Sequence, residues 1–363
     1  MNAVSRRRLR KTLFSVMIAF ALITLMGWNP ARAAQAPLAL DEGLFIDVNG
    51  VEQWITIRGA RADNPAILLL HGGPGIAMSG LAPLFAEWEQ HYTIVQWDQP
   101  LSGSTAVKNF GADPGAVTIE RFVRDGIAVA EYARQRLGKG KVVLLGNSWG
   151  TLLGLEMIRK RPDLFSAYVG TSQAVSGLRG GKAGYDLGLK AARDRNDQQA
   201  IAALERVGPP PYRKFEDFLV RQQYTNPPGL PASAAEQAAN AAMFKLMSVP
   251  PPADARYIAF RTVPPGFDGT KQFLDTQRVM FPLVQEWDAR ALGVDYRVPV
   301  FMLQGENDLN TPAAVAREYF DEIQAPRKAF EIIPGAGHNT LAFAREVLQL
   351  LQKHVDPAIR RGD

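Results

Sequence analysis

The chain has no cysteine, which excludes disulfides, thiolate metal sites, a cysteine nucleophile and a lipid-bearing N-terminal cysteine. It has four histidines in 363 residues, so an imidazole base must be His71, His91, His338 or His354. Positive charge is also scarcer than the formal net charge of +5 suggests. Residues 1–33 hold Arg6, Arg7, Arg8, Arg10, Lys11 and Arg32 with no acid, and the remainder is close to neutral. Nothing in that remainder points to nucleic-acid binding. The glycine turn at 71–75 lacks both the Lys-Ser/Thr of a nucleotide loop and Gly-x-Gly-x-x-Gly spacing, which disfavours a phosphate cradle.

What is present begins with a basic cluster, Arg6 to Lys11, ahead of an apolar run from Thr12 to Trp28. Ala31-Arg32-Ala33 then supplies small residues at cleavage-determining positions, so an export leader cut after Ala33 is expected. An uncleaved anchor is the alternative, because the run approaches spanning length. Membrane contact is expected only in that case. Ser5 to Lys11 also resembles a twin-arginine leader, which implies folding before transport. The expected location is periplasmic or secreted.

Beyond the leader, 47% hydrophobic content can fill a large core. Leu44 to Asp47 and Gln53 to Arg58 alternate about Asn49-Gly50, a hairpin signal. Buried strands are expected at Ala66 to Leu70, Tyr92 to Trp97, Val142 to Leu145, Ala167 to Gly170, Val298 to Leu303 and Ala329 to Ile333. Helices are expected near Ala82 to His91, Ile119 to Leu137 (closed by Gly138), after Trp149, from Pro312, and over Ala342 to Lys353. This rhythm predicts an α/β fold, a mainly parallel sheet with helices on both faces. It breaks between residues 174 and 290, where proline clusters punctuate alanine-rich pieces such as Ala232 to Met247. That stretch is read as an inserted helical cap, with a surface decoration as the alternative. The expected core is then 34–173 plus 291–363.

The chain is organised around Gly146-Asn147-Ser148-Trp149-Gly150, which sits between a buried strand and a helix. Gly-x-Ser-x-Gly at such a corner lifts a serine clear of the sheet, as a nucleophile elbow does. A serine hydroxyl needs a base, and the base an orienting acid. His338 follows a late strand in a glycine-flanked loop downstream of Ser148, so it is the expected base. Asp308 follows Val298 to Leu303 and is the expected acid, ahead of Glu306; a helix-capping role is the alternative for either. Backbone N–H groups of Trp149 and Gly73 are the expected oxyanion donors. No metal or cofactor is called for.

With these residues in view, the chain resembles an α/β-hydrolase of the prolyl aminopeptidase (proline iminopeptidase) family. His71-Gly72-Gly73-Pro74-Gly75 matches that family's His-Gly-Gly-Pro-Gly. Trp97-Asp98-Gln99 opens its Trp-Asp-Gln-Arg-Gly, and the Ser148 elbow is similar to Gly-Gly-Ser-Trp-Gly. The resemblance covers roughly 44–173 and 298–355. Pro100-Leu101 stands where the family has Arg-Gly. The resemblance implies a serine hydrolase that releases an N-terminal amino acid, often proline, from a small or short-peptide substrate through an acyl-enzyme. It also implies cap carboxylates for the substrate's amino group, with Glu216, Asp217, Glu236, Asp254, Asp268, Asp275, Glu286 and Asp288 as candidates. An esterase acting on other carboxylic derivatives is the alternative; a non-catalytic binding protein is a remote one. Serine at 148 disfavours an aspartate-nucleophile dehalogenase or epoxide hydrolase.

Overall fold

Runs such as Ala66–Leu70 and Val142–Asn147 are apolar at nearly every position because both faces of the strands are covered. In β3 (Ala66–Leu70), Leu68 and Leu70 face one hydrophobic cluster while Ile67 and Leu69 face another. β5 (Val142–Asn147) does the same with Val142 and Leu144 on one side and Val143 and Leu145 on the other. The computed structural model describes residues 39–225, 233–247 and 263–359. The expected leader and its cut after Ala33, the clusters Pro227-Pro228 and Pro250-Pro251-Pro252, and Asp254 lie outside the described residues.

β1 (Leu40–Val48) and β2 (Val51–Gly59) form the hairpin about Asn49-Gly50. With β4 (Thr93–Trp97), β6 (Phe165–Thr171), β7 (Val300–Gly305) and β8 (Lys328–Ile333) they complete an eight-stranded open sheet, ordered β1-β2-β4-β3-β5-β6-β7-β8. The pairs β1–β2 and β2–β4 are antiparallel and the rest parallel. The loops that follow β3, β4, β5, β7 and β8 therefore gather at one rim.

α1 (Gly103–Lys108) follows β4, and α2 (Ile119–Arg136) covers one face of the sheet with Phe122, Val123, Val129 and Ala133. The Thr118 hydroxyl caps α2 by accepting from the Arg121 N–H. α3 (Trp149–Lys160) packs on the same face through Leu152, Leu153 and Met157. The opposite face takes Phe85, Trp88 and Tyr92, together with Val347, Leu348 and Leu351 of the C-terminal helix Ala344–His354. The helix expected near 82–91 is instead two short 3₁₀ turns, Ser79–Phe85 and Trp88–Gln90. Pro83 has no N–H to donate and Leu81 leaves helical angles. Trp88 fixes the second turn by donating from its indole to the Ala344 carbonyl at 2.7 Å.

After β6 the described chain is helical: α4 (Gly177–Asp194), α5 (Gln198–Val207), α6 (Phe215–Thr225), α7 (Ala234–Met247) and α8 (Gly269–Glu286). Ser176, Asp197 and Asp268 accept from backbone N–H groups at the starts of α4, α5 and α8. Tyr185, Ala192, Ala200, Leu204 and Tyr224 form a small core among these helices. The excursion leaves and returns through one stem, where Gly177 N–H donates to Trp287 O and Ala289 N–H to Val175 O. Among the described residues no helix is long and apolar enough to cross a membrane.

The elbow depends on two glycines. A Cβ on Gly146 would lie 2.5 Å from the Gly150 carbonyl oxygen, and one on Gly150 would lie 2.1 Å from the Leu70 carbonyl oxygen. Strand and helix can cross this closely only with both side chains absent. Gly150→Ala is expected to lower unfolding free energy by about 3 kcal/mol. Gly140→Ala, which would meet nothing within 4 Å, is the control and should change stability by under ~0.5 kcal/mol. Urea unfolding of the two variants checks this.

Candidate active site

Ser148 sits between β5 and α3 with φ 51 and ψ −116, a left-handed backbone that costs a non-glycine residue about 1–3 kcal/mol. The conformation is held from outside the turn, as Ser148 N–H donates to the Thr171 carbonyl at 2.9 Å. The Ser148 Oγ lies 2.9 Å from His338 Nε2. On the other side of the ring, Nδ1 lies 2.9 and 3.0 Å from the two Asp308 oxygens. Nδ1–H thus donates to Asp308, and Nε2 is left to accept the serine proton. A hydroxyl, an imidazole and a carboxylate in this order can move a proton off the oxygen as it attacks.

The Asp308 side chain is fully buried and surrounded by donors. Oδ1 accepts from the Asn310 and Thr311 amides at 2.8 Å each, and Oδ2 accepts from the Thr311 hydroxyl at 2.7 Å. Burial pushes the Asp308 carboxyl up, but the neighbouring His338 and the Thr311 hydroxyl and amide outweigh it and hold the carboxyl below the ordinary aspartate range. Glu306 does something else. It accepts the Gly335 N–H at 2.8 Å, and Asn307 N–H donates to Ala336 O at 2.8 Å, which fastens the β7 turn to the His338 loop. The Ser172 hydroxyl secures that loop further by donating to the His338 carbonyl at 2.7 Å.

Gly73 and Trp149 line one cavity together with Ser148. Trp149 opens α3, so its N–H has no carbonyl one turn earlier to bond. Gln99 links the two loops that carry these amides. Its side chain accepts from the Trp149 indole at 2.9 Å and donates to His71 O at 3.1 Å, while its backbone N–H donates to His71 Nε2 at 3.2 Å. The motif Trp97-Asp98-Gln99 thereby acquires a physical role that its letters do not disclose. Leu101, where the resembled family has glycine, holds φ 65.

The other histidines stand apart from Ser148. His354 pairs with Glu331 and stacks on Phe301, and His91 ends a 3₁₀ turn. Of the cap carboxylates, Glu216 pairs with Arg278, Asp217 with Arg206 and Asp275 with Lys271. Asp268 and Asp288 cap helical turns. Among the described candidates, Glu236 is the one both buried and beside the site. It is 3% exposed and one carboxylate oxygen has no hydrogen-bond partner. It packs on Gly337 and shares a cavity of about 620 Å³ with Asp308 and His338. Burial raises its carboxyl above the ordinary range, with Asp308 acting the same way and His338 against it. Asn310 was not expected from the sequence. Its Nδ2 lies 3.1 Å from His338 Nε2, and only its place two residues after Asp308 hinted at it.

A match to the alpha/beta hydrolase family spans residues 67–350. The chain belongs to that family. The probable aminopeptidase YbaC of Bacillus subtilis (strain 168) is 26% identical over 295 residues, which are 81% of this chain and 89% of that protein. Two solved structures share the hydrolase fold. The proline iminopeptidase-related protein of Thermus thermophilus has TM-score 0.59 and 19% identity, over 88% of this chain and 99% of that one. The proline iminopeptidase of Mycobacterium smegmatis has TM-score 0.58 and 20% identity, over 89% and 100%.

His71 is wholly buried and neutral. Nδ1–H donates to Gly72 O at 2.8 Å and Nε2 accepts from Gln99. Burial lowers its pKa to about 4, with the Gly72 carbonyl opposing. The unfolded chain takes up the proton near pH 6.5, so the stability due to neutral His71 is present above pH 6.5 and is lost as pH falls toward 4. Buried Asp98, raised to about 6 by burial, works in the opposite direction, but it contributes alike to wild type and a His71 variant. His71→Asn should therefore be more destabilising at pH 7.5 than at pH 4.5, by about 3 kcal/mol. Urea unfolding at the two pH values measures the difference.

Proposed function

We propose that the chain is a serine hydrolase and acts as an aminopeptidase on short peptides. The observation that carries the proposal is the continuous contact from Ser148 Oγ to His338 Nε2 and from His338 Nδ1 to Asp308. Ser148 attacks the acyl carbon and His338 takes its proton. The amides of Trp149 and Gly73 hold the oxyanion. His338 then passes the proton to the leaving nitrogen, and Asp308 steadies the imidazolium. Water, deprotonated by the same imidazole, releases the acyl group from Ser148.

Glu236 supports the peptidase reading. A buried carboxylate with an unpartnered oxygen beside His338 is a counter-charge for a substrate's free ammonium. Esterase activity is the second reading, favoured by the absence of any carboxylate among the described residues lining the Ser148 cavity. The basic, apolar and small-residue succession over residues 1–33 supports export of the protein.

Ser148→Ala is expected to lower kcat on L-proline 2-naphthylamide by about 10⁴–10⁶-fold without changing the unfolding transition, and to abolish labelling by a fluorophosphonate probe. A loss under tenfold removes Ser148 from the mechanism. Glu236→Gln should raise KM for the naphthylamide more than for p-nitrophenyl acetate. Equal effects would favour the esterase.

A further inference from the structure

The cavity over Ser148, about 120 Å³, is walled largely by apolar and small residues, with Trp149, Phe218, Phe281 and Trp287 among them. Among the described residues one charged side chain lines it, and that is Arg221 of α6. Arg221 is 4% exposed. Its guanidinium donates to Asn310 Oδ1 at 3.0 Å, to Gln222 Oε1 at 3.2 Å and to Asn310 O at 3.5 Å. All three acceptors are neutral, and the buried Nε–H has no acceptor. No described carboxylate forms an ion pair with it. The fold makes room for this arrangement, since a Cβ on Gly184 would lie 2.5 Å from Nη2 and 2.1 Å from the Leu309 carbonyl oxygen.

A guanidinium stays protonated in proteins. Burial lowers the Arg221 pKa only to about 10, with Tyr212 and Asp308 opposing. A buried cation without a counter-ion is unfavourable, and buried charges are ordinarily paired. The described residues do not supply that partner, and the cavity over Ser148 gives a group from outside the chain access to it. Arg221 also lies close to the chemistry, because Asn310, which accepts from it, places Nδ2 3.1 Å from His338 Nε2.

We propose that Arg221 receives a carboxylate carried by the substrate. The hydrolase then prefers acidic substrates, such as a short peptide with a free C-terminus. This inference rests on the serine hydrolase reading and names its substrate class.

The test compares matched acid and neutral substrates on the purified full chain. Prolyl-alanine against prolyl-alaninamide places the carboxylate on the leaving side. Mono-p-nitrophenyl adipate against p-nitrophenyl hexanoate places it on the acyl side. At least one acid should be preferred about tenfold or more in kcat/KM, the range of a charge-assisted hydrogen bond. Arg221→Gln should bring that ratio close to one, mainly through KM, and Arg221→Lys should restore part of it. A residue that only fastens α6 to Asn310 would weaken both members alike and leave the ratio unchanged, which overturns the proposal.

Two measurements do not depend on the Arg221 variants folding. Succinate should inhibit the wild-type chain more strongly than succinamide. Calorimetry on Ser148→Ala should show about tenfold tighter binding of prolyl-alanine, or of adipate, than of the matching amide. Equal affinities for acid and amide overturn the inference even if hydrolysis is intact. Loss of all turnover and of fluorophosphonate labelling in the wild type, with acid-selective binding retained, overturns the hydrolase reading and leaves the carboxylate site standing.

Discussion

The crossing of β5 and α3 is the constraint on which the site rests. Gly146 brings β5 against the first turn of α3, and Gly150 brings that turn against the end of β3, at separations that no side chain could share; Ser148 between them holds a left-handed backbone. This places the serine oxygen at the start of a helix and above the sheet rim, where the loops after β7 and β8 carry Asp308 and His338. The strain is local, about 1–3 kcal/mol, and the buried hydrophobic clusters on both faces of the sheet offset it.

Around that crossing the molecule gives two histidines opposite environments. His338 borders a cavity, with a carboxylate on one nitrogen and a hydroxyl on the other. His71 is sealed among the Gly72 carbonyl, the Gln99 amide and the Ser102 hydroxyl, and burial holds it neutral. The second arrangement serves the first. His71 and Gln99 tie the Gly72-Gly73 turn to Trp149, so the two residues that line the cavity beside Ser148 belong to one hydrogen-bonded unit.

Much of this was legible in the sequence. Strand runs and the Asn49-Gly50 turn follow from local pattern, the need for a base and an acid beside the serine from the chemistry of acyl transfer, and their order along the chain from the nucleophile-elbow motif. The 3₁₀ turns at 79–90 were missed because the apolar spacing looked helical while Pro83 and the anchoring of Trp88 on Ala344 decided otherwise. Asn310 and Arg221 were illegible for a different reason, and Glu236 stood undistinguished among the candidate carboxylates. Each takes its meaning from contacts between segments far apart in the chain, and α6 and α7 have no motif that fixes how they meet the loops after β7 and β8. The carboxylates in the inserted stretch looked alike in sequence. Burial is what separates Glu236 from the others, most of which satisfy themselves on arginines, lysines or helix starts. Leu101 is the reverse case, a substitution visible in sequence whose cost, a left-handed leucine, needed the backbone to be seen.

The narrow stem at Val175–Gly177 and Trp287–Ala289 has an evolutionary consequence. More than a hundred residues depart from the sheet and come back through a doorway closed by two amide-to-carbonyl links. Inside that doorway the excursion can lengthen, shorten or be exchanged wholesale, because the neighbouring strands β6 and β7 pair with each other regardless of what is threaded between them. The stretch between the two links can thereby vary on a part of the polypeptide separate from the one that carries Ser148, Asp308 and His338.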